Sequence, residues 1–557
     1  MDRSRPCARR AAWLTAGALL SIVQVANGLT PSRCLTRQID SVFPRESPLH
    51  RTAPAEGRRG PPPNPQVGQE WLWYVWDLGG YPEASLLPCT VRGLGEHCYV
   101  VVENSQWGVT VDQQDVDAIL DRFNESSPGA TPNLGIYDIN TQAFGEPPDA
   151  LDNDPRIYLF YYDFGISADG FFWIFDQYPD GSQSFESNEC EVIYMNSGAA
   201  DPGGDYLLAV AAHEFQHMIH FAQDANEDPW VDEGMAELAM HLFGHPDAIS
   251  GFPSNPDNNL TSWNGSWADY IKVYLWSLYA FEHHGGLDFT WAVLHEPANG
   301  IPGYNAVLAD LGYAETFADV FLRWTVANFI DDTSFADGLY GYSTTDLPPF
   351  SHTLHVDFPV GPIARFVNHW AADYVVFRDG TALSFSFDGA DNDAFMLEAT
   401  SRNTGTTLAV AAYPPGPGQT ASFGLPDFGV GYEDAVIVIS SVAATGSGTY
   451  QYQAQASAPG IPPITDLVPA AVNGDVVLTW SPRPRAAEYA VYASAQPFFA
   501  TDGVTPWTVT TTSYTHVGAV QAGSSWFYVV RGQNAFAESI DSNRVGAATT
   551  AADLPAR

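Results

Sequence analysis

Lysine is almost absent from this 557-residue chain, because Lys272 is the only one. The chain has 23 basic residues against 65 acidic ones, and its formal charge is −42. A surface this acidic repels nucleic acid and anionic membranes. We therefore exclude both as partners of the mature chain. The composition is typical of a highly soluble exported protein, or of one from a salty habitat.

Long apolar runs are also absent after the N-terminus. Four arginines in the first ten residues precede an apolar stretch from Ala11 to Ala26, which is shorter than a typical membrane-spanning helix. Ala26-Asn27-Gly28 offers small residues for cleavage. The pattern predicts a signal peptide over residues 1–28 and a secreted, extracellular protein with no membrane contact after its removal. The alternative is an uncleaved anchor.

Cysteine is scarce, with five in the chain. Cys7 would leave with the signal peptide. Cys89 and Cys98 lie nine residues apart between strand-like segments, a spacing that predicts a disulfide closing a turn in an oxidising compartment. Cys34 and Cys190 are left to form a second bridge or to stay free. A metal site formed by Cys89, Cys98 and His97 is the alternative hypothesis.

Hydrophobic residues make up 45% of the chain, enough for about three or four domains of roughly 150 residues each. Residues 29–68 are rich in Arg, Pro and Gly and predict a disordered linker or a propeptide. Residues 69–345 predict an α+β domain, with an N-terminal β part over 69–130 and a helical part over 205–345. Helices are predicted at Val111–Phe123, from Asp205 as N-cap, at about Ala268–His283 and at about Thr316–Phe329.

Two all-β sandwich domains are predicted after the α+β domain. Residues 346–457 alternate strand patterns with Gly/Pro turns, which favours a β-sandwich. Residues 463–550 resemble a fibronectin type III module, with Trp480 as its core tryptophan. These β modules are candidates for binding an extracellular ligand, although a module of this kind says nothing about catalysis.

One segment of the chain carries recognisable chemistry, His213-Glu214-Phe215-Gln216-His217, with the pattern H-E-x-x-H. Residues four apart on a helix share a face, so His213 and His217 can bind one zinc ion. Glu214 lies off their line, where it can act on a water as general base and acid. An apolar stripe from Leu207 to Ala222 lies roughly 140° from the histidines and predicts a separate core face.

A carboxylate is needed to complete a His/His/Glu zinc site that keeps one position open. Glu233 and Glu237 follow on one face of a second predicted helix that ends near Gly244, and by position either can be the third ligand. His220 cannot, since three ligands on one straight helix would place His213 and His220 roughly 10 Å apart. We predict a structural or rim position for His220.

The segment Asp232-Glu233-Gly234-Met235-Ala236-Glu237 resembles the gluzincin metallopeptidases, in which the ligand glutamate sits in an Asp-Glu-Gly turn. The resemblance implies a zincin fold, Glu233 as the zinc ligand, and Glu237 as a supporting carboxylate that hydrogen-bonds His213. One zinc ion per chain is the expected cofactor.

Within that group, Ala211 to Ile219 looks most like the hyicolysin-like neutral metallopeptidases, and the resemblance covers about residues 85–345. The chain departs from thermolysin and the large aminopeptidases in spacing, since only 15 residues separate His217 from Glu233. It also lacks the Gly-x-Met-Glu-Asn element, so the amine clamp of an aminopeptidase is not supported.

Related enzymes place a tyrosine or histidine on the next helix to stabilise the oxyanion, and Tyr270 is the first candidate here. Tyr274 is the second, with His283 and His284 behind it. The alternative for both tyrosines is aromatic core packing. Glu191–Met195 is predicted as the edge strand that pairs with an extended peptide.

A calcium ion is a second candidate cofactor. The acidic stretch Asp149, Asp152, Asn153 and Asp154 offers the oxygen ligands that calcium prefers. The alternative, which we favour, is a solvated acidic loop.

These features together predict a secreted zinc metalloendopeptidase that acts on a protein or peptide substrate, with Glu214 as general base and acid. The alternative class is a non-catalytic extracellular adhesion or binding protein on a zincin scaffold. A zinc enzyme acting on a non-peptide amide or ester is a third hypothesis.

Overall fold

A computed structural model describes residues 34–36, 60–76, 84–149, 151–180, 182, 186–457, 460–520, 525–534 and 537–548. The predicted signal peptide lies outside these residues. So does most of the predicted linker or propeptide, apart from residues 34–36 and 60–68.

The first unit of the fold is a six-stranded sheet in the order β1-β2-β3-β4-β6-β5. The central pairs β3–β4 and β4–β6 are parallel, whereas β1–β2, β2–β3 and β5–β6 are antiparallel. Its strands are β1 Glu70–Trp76, β2 Ala84–Leu94, β3 Cys98–Glu103, β4 Ile157–Tyr162, β5 Gly170–Phe172 and β6 Val192–Asn196.

The edge of this sheet differs from the prediction. The predicted edge strand corresponds to β6, which is an inner strand between β4 and β5. The edge strand on this side of the sheet is β5, where Gly170 pairs with Met195, and β1 is the edge strand on the other side. A strand of three residues is too short to show the two-residue alternation of apolar and polar side chains. The sequence therefore did not predict β5.

Eight α-helices are formed by the described residues. The five predicted helices are present, and each helix end that was predicted lies within about two residues of the observed one, apart from the N-cap of α3, which is Gly204 instead of Asp205. The helices are α1 Gln113–Asn124, α2 Ile136–Phe144, α3 Asp205–Gln223, α4 Pro229–Phe243, α5 Trp267–His283, α6 Leu287–His295, α7 Gly300–Asp310 and α8 Phe317–Ile330.

The predicted disulfide between Cys89 and Cys98 is wrong. Both are buried thiols. In the β2–β3 pairing Cys89 lies opposite Glu103, five residues beyond Cys98 on the other strand. That offset is about 17 Å at 3.4 Å per residue, far beyond the reach of a disulfide. Cys34 and Cys190 are not joined by a disulfide either.

The second unit is a β-sandwich with its own apolar core. One sheet has the order β13-β10-β15-β8, and β12-β11-β14 and β7-β9 make the opposite layer. Its strands are β7 Thr353–His355, β8 Val360–Phe366, β9 Ala371–Phe377, β10 Thr381–Gly389, β11 Phe395–Asn403, β12 Thr406–Ala412, β13 Thr420–Leu425, β14 Asp434–Ser441 and β15 Thr449–Ser457.

The outer face of β9 and β14 packs on the helical region. Trp370 contacts Phe317 and Phe321 at ring separations of 5.1 and 5.3 Å. The Tyr374 hydroxyl donates to the carbonyl of Thr325 at 2.7 Å. Residues from both units therefore share one continuous apolar core.

The C-terminal unit is a smaller β module of two sheets, in the orders β16-β17-β20 and β19-β18-β21-β22. Trp480 lies in its separate core against Tyr489, as predicted. Its strands are β16 Val468–Val472, β17 Asp475–Thr479, β18 Glu488–Ser494, β19 Trp507–Val509, β20 Ser513–His516, β21 Ser525–Gln533 and β22 Val545–Ala548.

The described part of the chain is therefore an α+β region followed by β-sandwich units. Within that part, no helix combines the length and the apolar character that crossing a membrane requires.

Candidate metal centre

Helix α3 carries the histidines on a face that is fully enclosed. The predicted apolar stripe is buried, but His213 and His217 are each only 2% exposed as well. Helices α2 and α4 and strands β5 and β6 all contact α3, so its surroundings are closed on several sides. The histidine face is separate from the apolar stripe without being open to solvent.

Helix α4 approaches α5 closely because of a single glycine. A Cβ on Gly234 would lie 2.5 Å from the Ser277 hydroxyl and 3.1 Å from the carbonyl of Val273. Alanine at this position would therefore push the two helices apart. The glycine that follows Glu233 thus allows this tight contact beside the carboxylate.

Side chains from α3 and α4 converge on one buried point. His213 Nε2 and His217 Nε2 are 3.1 Å apart. Glu233 Oε2 lies 3.5 Å from His213 Nε2 and 3.9 Å from His217 Nε2. Cys34 Sγ lies 3.4 Å from His217 Nε2. These four donor atoms all lie within 4.8 Å of one another.

The spacing of the four donors fits a tetrahedral zinc ion. Zinc bonds of about 2.0–2.1 Å place nitrogen and oxygen ligands about 3.3 Å apart, and a sulfur at about 2.3 Å lies about 3.5 Å from a nitrogen. The carboxylate of Glu233 is completely buried, and neither of its oxygens has a hydrogen-bond partner. A cation would satisfy that buried carboxylate.

A second set of carboxylates touches the far side of each imidazole. Glu237 Oε1 lies 3.3 Å from His213 Nδ1, in the position predicted for a supporting group. Asp232 Oδ2 lies 3.1 Å from His217 Nδ1. A carboxylate at Nδ1 favours the tautomer with its proton there, which leaves the Nε2 lone pair facing the cluster.

Asp232 also contacts His220, the histidine that was excluded as a ligand. Its Oδ1 lies 2.7 Å from His220 Nδ1, and His220 is 1% exposed. His220 is thus a buried neighbour of the cluster, and the predicted alternative of a rim position is wrong. The sequence contains one signal for this supporting role of Asp232, because Asp232 directly precedes the predicted ligand Glu233.

The electrostatics of the cluster show an excess of negative charge. Burial lowers the pKa of His213, but its polar contacts with Cys34, Glu233 and Glu237 outweigh burial and hold this pKa well above its usual range. Among the ion pairs of the described residues, none brings Arg or Lys to Glu214, Glu233 or Glu237. A bound cation is the natural complement of such a site.

Glu214 lies beside the donors and is completely buried. Its Oε2 is 3.5 Å from Cys34 Sγ and accepts a hydrogen bond from Thr36 Oγ1 at 2.8 Å. Burial raises the pKa of Glu214, while His213, His217 and the Thr36 hydroxyl act in the opposite direction. A carboxyl with a raised pKa exchanges a proton more readily near neutral pH.

Tyr270 is the predicted oxyanion donor that lies nearest to the cluster. It is 3% exposed, its ring centre is 6.4 Å from that of His213, and its hydroxyl donates to the carbonyl oxygen of Cys34 at 3.5 Å. The hydroxyl of Tyr274 is instead hydrogen-bonded to His241 Nδ1 at 2.8 Å.

The two histidines considered behind the tyrosines have partners of their own. His283 lies 3.1 Å from the carbonyl of Gly341, and His284 lies 3.2 Å from Glu315. These partners lie in the loop after α8 and in the turn before it. Among the four predicted oxyanion donors, Tyr270 is therefore the one that lies beside the donor cluster.

The acidic stretch splits into two groups. Asp149 and Asp152 come within 4.8 Å of Glu191, which precedes β6. Asp154 instead accepts a hydrogen bond from Tyr99 and pairs with Arg156. The sequence did not indicate Glu191, because it lies nearly forty residues away.

No protein-family model matches the chain, and no curated protein matches it. Similar solved structures include an Fn3-like protein from Clostridium thermocellum, 25% identical over 15% of this chain and 86% of that chain, with a TM-score of 0.13. The fn3 domain of the human collagen alpha-1(XX) chain is 22% identical over 21% of this chain and 100% of that chain, with a TM-score of 0.15. Structural similarities this low say nothing about activity. The description of the C-terminal β module therefore depends on its own two sheets.

Proposed function

We propose that this chain is a secreted zinc-dependent endopeptidase of the gluzincin type, with a zincin catalytic domain similar to that of the hyicolysin-like neutral metallopeptidases. One observation carries the proposal. Two imidazoles and a carboxylate from two helices converge on one buried point directly beside a second carboxylate, Glu214. Secretion follows from the signal-peptide pattern of the N-terminus.

His213, His217 and Glu233 would hold the metal, and Glu237 and Asp232 would fix the two imidazoles. Zinc bound there supplies two effects, a water acidified towards a pKa of about 7 and a polarised carbonyl. The chain itself supplies orientation and proton transfer.

Glu214 would be the group in reach of the reacting water. Its carboxylate would take the proton of that water and later give it to the leaving amine of the cleaved peptide bond. Tyr270 would donate a hydrogen bond to the oxygen of the attacked carbonyl, where negative charge develops. Its hydroxyl already lies 3.5 Å from a backbone carbonyl, that of Cys34.

Strand β5 would hold the substrate in an extended conformation. Its backbone pairs with another segment of this chain, since the N–H of Leu35 donates to the carbonyl of Gly170 at 3.2 Å. A Cβ on Gly170 would meet Glu214 Cγ at 3.0 Å, so glycine allows this strand to run close to the proposed base. Backbone pairing of this kind binds a peptide irrespective of its sequence.

Metal analysis combined with casein hydrolysis tests the proposal. Because Cys34 lies in the cluster, hydrolysis is measured for both the native chain and the Cys34→Ala variant, with and without chelator. We expect one zinc ion per chain and hydrolysis that the chelator abolishes. In the Cys34→Ala background, Glu214→Gln should retain zinc and slow hydrolysis about 10²–10⁴-fold. Glu125→Gln, at an exposed glutamate, is the matched control.

Two outcomes would contradict the proposal. Full activity in the Glu214→Gln variant would show that the assigned base is wrong. Zinc bound without hydrolysis of any protein substrate would favour the non-catalytic binding protein, or an enzyme acting on a non-peptide amide or ester.

We also propose a calcium site formed by Asp149, Asp152 and Glu191. Glu191 is 1% exposed, and burial together with the neighbouring carboxylates of Asp152 and Asp149 holds the pKa of its carboxyl well above the usual range. Calcium would neutralise the three carboxylates and leave its remaining positions for water. Calcium should raise the unfolding temperature of the native chain and leave that of Glu191→Gln unchanged. An equal response of both chains to calcium would refute the site.

A further inference from the structure

A short segment near the N-terminus occupies the cleft at the proposed metal centre. Cys34 and Thr36 are 2% and 1% exposed, although nearly 180 residues separate them from Glu214. Cys34 pairs with Gly170 as an isolated parallel bridge, and the N–H of Leu35 donates to the Gly170 carbonyl. The segment therefore lies along the edge strand β5, where an extended peptide substrate would lie.

The thiol of Cys34 takes the fourth corner of the donor cluster. Its sulfur is 3.4 Å from His217 Nε2 and 3.5 Å from Glu214 Oε2. A hydrolytic zinc site keeps its fourth position for water, and the general base must reach that water. The sulfur lies where such a water would have to lie, and a thiolate is itself a strong zinc ligand.

Other contacts of the segment engage the rest of the catalytic machinery. Thr36 Oγ1 donates to Glu214 and accepts from the N–H of Phe172 at 2.8 Å. The carbonyl of Cys34 lies against the Tyr270 hydroxyl. The fully buried carboxylate of Glu233, whose oxygens have the two imidazoles nearby but no hydrogen-bond partner, faces the same point and independently indicates a cation there.

We infer that the segment Cys34–Thr36 is an internal inhibitor, in which the Cys34 thiolate is the fourth ligand of the zinc held by His213, His217 and Glu233. The inference rests on the proposed function. It makes the full chain latent, because water, base and substrate strand are all displaced by the same three residues. Cutting the chain after this segment, or modifying the thiol, would release the site.

The test uses the full chain with Co²⁺ in place of zinc, since Co²⁺ reports a bound thiolate by charge-transfer absorption in the near ultraviolet. We expect that band in the native chain and in Cys89→Ala, a control that removes another buried thiol. Cys34→Ala should lose the band while still binding one metal ion. If the form with Cys34 bound to the metal is favoured about 99:1 over the form with Cys34 released, Cys34→Ala should also hydrolyse casein about 100-fold faster than the native chain.

The outcomes separate this inference from the proposed function. Equal casein hydrolysis by the native chain and Cys34→Ala, with no thiolate band in either, would overturn the inference and leave the peptidase proposal intact. A thiolate band that Cys34→Ala removes, with no hydrolysis by any variant, would support the ligand and refute the peptidase. A thiolate band that persists in Cys34→Ala would overturn the assignment of Cys34.

Discussion

Asp232→Asn should weaken zinc binding although Asp232 is not a proposed ligand. Its carboxylate contacts His217 Nδ1 at 3.1 Å through one oxygen and His220 Nδ1 at 2.7 Å through the other. An asparagine of the same shape has one oxygen and one NH₂ group. It can accept from only one of the two imidazoles and turns a donor towards the other.

The size of the effect follows from this mismatch. All three side chains are at most 2% exposed, so water cannot replace the lost contact. Loss of such a supporting carboxylate typically lowers metal affinity about 10–100-fold, which is about 1.4–2.7 kcal/mol. We therefore expect the zinc Kd of Asp232→Asn to rise by that factor, and the Kd of Asp232→Ala to rise at least as much.

Competition with a chromogenic zinc chelator measures this ratio directly. Asp228→Asn is the matched control, because it makes the same chemical change just before α4 at a side chain with no capping hydrogen bond. The three variants are made in the Cys34→Ala background, so that the thiol does not mask the difference. A zinc Kd for Asp232→Asn within twofold of the control would refute the role assigned to Asp232.

Three further predictions concern packing, pH and the oxyanion. Gly234→Ala should lower the free energy of unfolding by about 1–3 kcal/mol despite the better helix propensity of alanine, whereas Gly361→Ala, which meets no neighbouring atom, should have little effect in the same denaturant titration. Burial raises the pKa of Asp176 to about 7, against hydrogen bonds from Tyr194 and Asn188 that lower it. The stability contributed by its neutral form is thus complete below about pH 4 and is lost as the pH rises through about 7, and Asp176→Asn should flatten that part of the stability–pH curve. Tyr270→Phe in the Cys34→Ala background should lower kcat about 10²–10³-fold with little change in KM, and an unchanged kcat would leave Tyr270 as a packing residue.

The local features of the site could be predicted because they depend on helical spacing alone. His213, Glu214 and His217 lie within five residues, and their helix forms as predicted. The helix of Glu233 and Glu237 ends at Phe243, followed by Gly244 in the left-handed conformation that glycine tolerates. Spacing within one helix sets these relations before any tertiary contact forms.

The features that were missed depend on contacts between distant segments. Nothing near Cys34 in the sequence indicates that it meets His217, 183 residues later. The disulfide prediction failed because the offset of β2 against β3 decides which cysteines meet, and cysteine spacing does not reveal it. Helix α7 was missed because Pro302 and Gly303 near its start are residues typical of a turn.

The packing of Trp370 and Tyr374 on α8 limits which parts of this chain can be exchanged by recombination during evolution. A gene fragment that ends at residue 345 would encode an α+β region with the apolar surface under these residues exposed to water. Recombination that preserves folding must therefore carry residues 69–457 together. The C-terminal β module encloses a core of its own, so it can be lost, duplicated or replaced without exposing the core that surrounds the histidines.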